Sequence, residues 1–433
     1  MKKVLIITYY YPPDGAIGGV RPFGIAKNIV KYGWEPIIIT ESDGQVNGKN
    51  ITSYTTEKIS NMSFKASNVS SKVTDFVSRS SLCSNHDSKI YKFLRGFYDL
   101  VNYPDPQYNW YAPAVELGSK IIEENQINVI LSTSKPETCH LVAKKLHEKY
   151  NIPWVADFRD LWSDNHYIYH NKLIKLLQLR LEKKTISKAS TITTVSVPLK
   201  KELESIHKSG KVYSITNGFD VDNVLLAEMA PKVEEKFSIL YTGNLYKGKR
   251  DPEMLFQSVS SLINDGILPK RSIKIDFYGN DNKWLTAMVG RYDLNEIVTL
   301  HGYIPRKEAI KRQQTAQLLL LLTWDDIKDN GVYTGKLFDY LAARRPILCI
   351  GSKESVVAEL LSDTKAGICV SSVSEMSCVL EKYYNEYKNS KVIPYRGLET
   401  EIGKYSQAEM AKKFAKIFDD LSKKTTCRNP SVE

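Results

Sequence analysis

Short apolar runs of four to eight residues recur along the chain, each bounded by turn residues and separated from the next by an amphipathic stretch. In the first half they are VLIIT (4–8), EPIIIT (35–40), INVILST (127–133), IPWVADF (152–158), STITTVS (190–196) and KVYSITNG (211–218). In the second half they are FSILYTG (237–243), SIKIDFYG (272–279), EIVTLHG (296–302), AQLLLLLT (316–323), RPILCIG (345–351) and AGICV (366–370). Runs this short, rich in Val, Ile, Thr and Tyr, predict strands buried on both faces. Interleaved with helices, they predict parallel βαβ units. The series restarts at Phe237 after VLLAEMAPKVEEK, a stretch with a proline and a charge cluster. The reading is α/β, with two Rossmann-like parallel-sheet domains facing across a cleft: 1–228, a linker at 229–236, 237–400, and a closing segment 401–433. Within that segment, Ser406–Lys424 places Met410, Phe414, Ile417, Phe418 and Leu421 on one helical face.

Length agrees with this division, because 433 residues exceed the ~250–300 at which one core stops growing. Apolar content of 42% and charged content of 25% are ordinary globular values. Six scattered cysteines without a CxxC pair argue against a disulfide framework or a zinc site, and a reducing compartment is expected. The opening MKKVLIITYYYPP has too short an apolar core for a signal peptide and reads as the first strand. No apolar run approaches the ~20 residues that cross a bilayer. The net charge of +11 favours anionic partners without choosing among them. A polar, Ser-rich stretch from about Ser42 gives way to KIYKFLRGFYDLVNYPDPQYNWY, where Leu94, Phe97, Tyr98 and Val101 share a helical face with Lys89, Lys92 and Arg95 around it. Such a basic aromatic segment packs on its own domain or lies in a membrane interface.

Candidate chemistry gathers where strands end. After the first strand, GAIGGVR supplies Gly15, Gly18 and Gly19, then Arg21 at a helix start; glycine lets backbone approach a ligand, and a helix start offers amides to an anion. The spacing is not that of the dinucleotide GxGxxG. The second half repeats the device in ILYTGNLYKGKRDPEML, with Gly243 after a strand and Lys247, Lys249 and Arg250 ahead of a helix, cations suited to a diphosphate. Thr334 and Gly335 open another helix whose first-turn amides, through Lys336, face phosphate, and Asp339 one turn in is placed to accept ribose hydroxyls. Asp157, Arg159 and Asp160 in DFRDLW form a polar group that is either functional or a buried ion-pair cluster. His140 reads as a helix-face histidine. The acids of WDDIKDN (Asp325, Asp326, Asp329) read as loop caps, not metal ligands.

Taken in order, YYYPPDGAIGGVRPFGIAKNIVKYGWEPIIIT, IPWVADFRDLW, ITNGFD, LYTGNLYKGKRDP and TGKLFDYLAARRPIL resemble a retaining glycosyltransferase of GT-B architecture, family four, of the kind found in bacterial surface-polysaccharide clusters. The resemblance spans nearly the whole chain. It implies an N-terminal acceptor domain, a C-terminal nucleotide-sugar domain and a last helix crossing back to the first. Gly18, Gly19 and Arg21 would approach the donor; Gly243, Asn244, Thr334, Gly335, Lys336 and Asp339 would bind it, and Tyr303, in HGYIPRKE (301–308), would help frame the base. Lys249 falls at the family's phosphate lysine, with Arg250 beside it, whereas Asn244 stands at the expected arginine. Asp339 matches the second of two paired glutamates; Gly331 replaces the first, with Asp329 and Asn330 as candidate substitutes. Arg159 stands at the usual acceptor-domain histidine, so Asp157, Arg159, Asp160 and Trp162 become the acceptor-side group.

The implied reaction is transfer of a hexosyl or N-acetylhexosaminyl group, with retention, from a UDP- or GDP-sugar to a saccharide, lipid-linked by expectation. Attack comes from the face the leaving group vacates, and the departing phosphate takes the proton. No metal or other cofactor is required. The expected location is cytoplasmic, peripheral at the inner face of an anionic membrane, with no nucleic-acid partner. Three alternatives stand beside it: a nucleotide-sugar epimerase on the same scaffold, a basic nucleic-acid-binding protein, and a non-catalytic scaffold.

Overall fold

The structure is a computed structural model that describes residues 1–12, 17–41, 51–56, 99–167, 171–208, 211–222, 233–280, 282–324 and 326–426. Gly15, Asp325 and residues 89–98 of the basic aromatic segment lie outside the described residues. The chain divides into two compact units, Met1–Thr216 with Met410–Glu433, and Asn217–Glu409.

The first unit carries a sheet of β1 (Lys2–Ile7), β2 (Trp34–Thr40), β3 (Thr52–Thr55), β4 (Ile127–Thr133), β5 (Trp154–Phe158), β6 (Thr191–Thr194) and β7 (Val212–Ser214). Its order is β3-β2-β1-β4-β5-β6-β7. The second carries β8 (Phe237–Thr242), β9 (Ile273–Tyr278), β10 (Val298–Leu300), β11 (Leu318–Leu322), β12 (Ile347–Ile350) and β13 (Gly367–Val370), in the order β10-β9-β8-β11-β12-β13. Every pairing is parallel. All the apolar runs read from the sequence are strands, and the two Rossmann-like sheets of the expected fold class are present.

One strand was not anticipated. β3, TSYT, is a sheet edge with no apolar run of its own, and only its pairing with Ile37–Thr40 defines it. Elsewhere the period of two sorts the core: Leu5 and Ile7 of β1 pack on one face of the first sheet, Val4 and Ile6 on the other. In both sheets the first strand is central and the order reverses beside it, between β1 and β4 and between β8 and β11. Outside the carboxyl ends of strands at such reversals, open parallel sheets bind ligands.

The helix Gln407–Thr426 ends the described chain. From Met410 onward it belongs to the first unit, where Met410, Ala411, Phe414 and Phe418 are buried with Val4, Ile6, Ile25 and Trp34. The second unit begins at Asn217, ahead of the linker read from the sequence, because Phe219 pairs with residues at the start of this helix: its N–H donates to Tyr405 O (2.9 Å) and its C=O accepts from Gln407 N (2.9 Å).

Candidate functional site

Each unit has polar and charged groups at its strand ends. In the first, Asp157 closes toward the end of β5 fully buried, and Arg21, 4% exposed, meets it with two bonds, Nε to Oδ2 (2.9 Å) and Nη2 to Oδ1 (2.8 Å). The hydroxyls of Thr133 (2.9 Å) and Thr193 (2.7 Å), at the ends of β4 and β6, donate to the same carboxylate. Burial pushes the Asp157 carboxyl up, but the guanidinium and the hydroxyls outweigh it and hold it below the usual carboxylate range. Arg21 also lies 5.3 Å from the Phe414 ring centroid and donates toward Met410 Sδ (3.5 Å). The ligand contact expected of Arg21 from the sequence would therefore require opening a buried pair. Of the two readings for Asp157, the interior ion pair is the one that describes its surroundings, and its partner is Arg21 rather than Arg159.

Arg159 does different work. It donates to Gly18 O (2.6 Å), to Lys135 O (2.9 Å) and, through Nε, to Ser134 O, fastening the glycine loop to the segment after β4. The loop needs glycine for space: a Cβ on Gly18 would lie 3.0 Å from Tyr10 Cδ2 and 3.2 Å from Arg159 Nη1, and one on Gly19 would lie 3.2 Å from Tyr11 Cα. Asp160, half-buried beside Arg159, makes no hydrogen bond or close ion pair among the described residues, and its charge acts on the Arg159 guanidinium at longer range. Trp162, expected on the acceptor side, is a core residue at 3% exposure whose Nε1 donates to Gln178 Oε1 (2.7 Å). Nearby, Tyr9 and Tyr10 are half-buried with ring centroids 5.0 Å apart, and the buried Trp110 lies 5.5 Å from Tyr9.

His140 lies in helix Thr138–Tyr150, as the sequence suggests, on the helix's buried face. Trp154 Nε1 donates to Ser132 Oγ (2.7 Å), the same hydroxyl is hydrogen-bonded to His140 Nδ1 (2.7 Å), and Nε2 is buried without a partner. Burial, the largest influence, holds this imidazole down to about 3. The unfolded chain accepts the proton near pH 6.5. Between these values the unfolded state binds the extra proton, so stability falls as pH drops below about 6.5, by at most ~1.4 kcal/mol per pH unit. Urea unfolding at pH 7 and pH 5 should show a larger loss for the wild type than for His140→Gln. Parallel losses would rule this group out as the source.

In the second unit, β8 ends at Thr242, whose amide is met by Tyr340 Oη (3.2 Å) and whose hydroxyl accepts from Gln313 Nε2 (2.9 Å). Gly243 follows at φ +116°, a conformation side chains disfavour. A Cβ there would also fall 2.2 Å from Lys336 Cε, so glycine makes room for the lysine that crosses the strand end. The turn Tyr246–Arg250 is tied by Lys249 N (3.0 Å) and Arg250 N (2.8 Å) on Tyr246 O. Lys249 is exposed, its Nζ 4.2 Å from the Trp324 ring centroid, and Arg250 Nη2 is 3.8 Å from the buried Asp329. The Asn244 carbonyl accepts from Tyr241 Oη (2.8 Å).

Helix Gly335–Ala343 opens at Thr334, whose Oγ1 is buried without a partner, as is Asn330 Oδ1 nearby in the chain. First-turn amides of a helix have no intrahelical acceptor. Asp339 is already engaged by Arg306 (2.5 Å), and burial raises its carboxyl against that attraction. A pocket of about 270 Å³ adjoins Gly243, lined also by Leu245, Tyr278, Gly279, His301 and Gly302. Its wall includes His301 stacked 4.3 Å over Tyr278 and bonded to Asp276 (2.7 Å). Tyr303 stands 78% exposed and does not line it. His301–Glu308 stands out in the sequence, whereas Tyr241 and Tyr278 do not, because Lys336 and His301, which they meet, are distant in the chain. Asp326 caps its turn by accepting from Lys328 N (2.9 Å), and no group of three or more His, Cys, Asp or Glu arranged for a metal occurs among the described residues.

Residues 79–223, about a third of the chain, match the family model described as Glycosyltransferase Family 4. By sequence, no curated protein matches the chain. Among solved structures, a glycosyltransferase from Rickettsia africae is similar over 97% of this chain and 98% of its own, with 12% identity and a TM-score of 0.61. Sucrose-phosphate synthase from Thermosynechococcus elongatus is similar over 97% and 99%, with 10% identity and a TM-score of 0.64. Anabaena HepE, in complex with UDP and glucose, is similar over 97% and 100%, with 11% identity and a TM-score of 0.61. At such identities the likeness is one of fold.

Proposed function

We propose that this chain is a glycosyltransferase whose second unit takes a UDP- or GDP-sugar and whose first unit meets a saccharide acceptor. The observation that carries the reading is the strand end at Gly243, where Lys249, Arg250, Lys336 and the opening turn at Thr334 are grouped and Thr334 Oγ1 is buried without a partner. Fixed cations and amides stabilise the charge that grows on a departing diphosphate without reorganising. The family match over 79–223 and the shared fold of the Rickettsia and Anabaena proteins support the same reading. Transfer with retention, by attack on the face the leaving group vacates, needs no strong base of the protein, and none is assigned. The leaving phosphate takes the acceptor's proton, and no metal is required.

A lipid-linked acceptor for surface polysaccharide extends the proposal. Helix Lys172–Ile186 exposes Leu173 (64%) and Leu176 (44%) beside Lys172 and Lys175, an arrangement suited to an anionic interface. No helix among the described residues is long and apolar enough to cross a membrane. Flotation with anionic liposomes at low salt checks this extension, and protein left at the bottom of the gradient removes it.

The central test is a thermal-shift screen against nucleoside diphosphates and their sugars, run with and without EDTA. A ligand at about 100 times its Kd adds ~2.7 kcal/mol, a shift of several degrees. Equal shifts with and without chelator are expected. Indifference to every nucleotide would end the proposal, and a shift abolished by EDTA would require a metal in it.

A further inference from the structure

Lys336, second residue of helix Gly335–Ala343, is mostly buried, and its side chain turns back across the end of β8. Its Nζ donates to Tyr241 Oη at 2.6 Å and stands 4.3 Å from the centroid of that ring. The tyrosine hydroxyl spends its own proton on Asn244 O (2.8 Å), so it offers the lysine a lone pair. It does not offer a charge, because burial raises the Tyr241 hydroxyl far above its ordinary range and keeps it neutral.

The charged groups around Lys336 leave it without an anion. The turn after β8 presents Arg250, a like charge, and Lys249, which lies over Trp324. Asp329, from the segment before the helix, faces Arg250 at 3.8 Å, and Asp339, one turn along the same helix, is held by Arg306. Tyr340 is committed to Thr242. Burial first and Arg250 second bring the ammonium down to about 7. A cation kept from water beside another cation is unfavourable unless an opposite charge arrives. Two residues earlier in the chain, the buried Thr334 hydroxyl also lacks a partner.

We propose that Lys336 is the proton-coupled group of the nucleotide site: as a nucleoside diphosphate binds, the Lys336 amine takes a proton from solvent onto its nitrogen lone pair and becomes the ammonium that pairs with the phosphate, while Tyr241 positions it. This rests on the second unit being the nucleotide-sugar site. It adds a consequence that amides and arginine do not supply, namely that affinity depends on pH through one lysine.

Calorimetric titration of the full chain with UDP and with GDP, from pH 6.5 to 8.5 in two buffers of different ionisation enthalpy, reads the proton count. The diphosphate's own titration is common to all variants, so the comparison is with Lys336→Arg, which is charged throughout, and Lys336→Met, which never is. Wild type is expected to take up about half a proton more than Lys336→Arg at pH 7, approaching one by pH 8.5, and to lose affinity by up to about tenfold per pH unit above the midpoint relative to that variant. Lys336→Met should bind more weakly than wild type at pH 6.5, with no excess uptake. Should Lys336→Arg fold poorly, Lys336→Met supplies the uptake comparison alone. Tyr241→Phe should move the midpoint of the affinity profile while leaving its single-proton slope. Nucleotide binding with the same proton count in wild type and both variants overturns the inference and leaves the functional reading intact. Absence of any binding at any pH overturns both.

Discussion

Lys249→Ala is expected to keep its fold and to lose about two orders of magnitude in kcat, ~3 kcal/mol of leaving-group stabilisation. The turn that presents this lysine is fixed by backbone bonds on Tyr246 O and by Gly248 N on Asp251 Oδ2 (2.7 Å), none of which involves the Lys249 side chain. That side chain is exposed, its Nζ above Trp324, and truncating an exposed side chain usually changes stability by less than ~0.5 kcal/mol. A large loss of rate at an unchanged melting temperature would therefore report on transition-state charge. Initial rates with the donor identified by the thermal screen, for wild type, Lys249→Ala and Lys249→Arg, decide the matter. Arginine should restore part of the rate, because it keeps the charge but not the compact geometry of an ammonium. A raised KM with unchanged kcat would mean that Lys249 binds donor and transition state equally, and the role given to it here would be wrong.

The largest effect on stability is expected at Asp157. Asp157→Ala removes a carboxylate that receives two bonds from Arg21 and one each from Thr133 and Thr193, and leaves a guanidinium in the core without its counter-charge. Breaking a buried pair from one side costs about 3–5 kcal/mol. Replacing both partners by apolar residues of similar volume is often neutral, so Asp157→Leu with Arg21→Met should recover most of the loss. Four of the six tryptophans, Trp34, Trp110, Trp154 and Trp162, lie in the first unit, so denaturant unfolding followed by tryptophan fluorescence reads mainly this unit. Equal destabilisation of the single and double variants would show that the pair's charges are not what the interior depends on.

Much of the fold was legible because burial on both faces writes continuous apolar runs into the strands, and each run named from the sequence is a strand. β3 escaped because an edge strand of Thr, Ser and Tyr is defined by its neighbour and not by its own composition. The site was legible only in part. Glycines after β1 and β8 marked the strand ends, since close approach excludes a Cβ and leaves a trace in the residue type. Pairings across long separations leave none. Arg21 and Asp157 are 136 positions apart, and Arg21 looked like a ligand contact because its helix position was visible while its partner was not. From the sequence Lys336 offers only a first-turn amide, whereas the feature that sets it apart is a side chain lying against Tyr241, 95 positions earlier.

The C-terminal helix has a consequence for synthesis. Met410, Phe414 and Phe418 complete the interior around β1 and Trp34, so residues 1–216 leave the ribosome lacking a wall that is translated only after the second unit. The later half, Asn217–Glu409, has all its parts first. Assembly on the ribosome therefore runs against the order of translation, and a chain stopped just before Met410 carries one finished body attached to an open apolar surface, a substrate for chaperones and proteases.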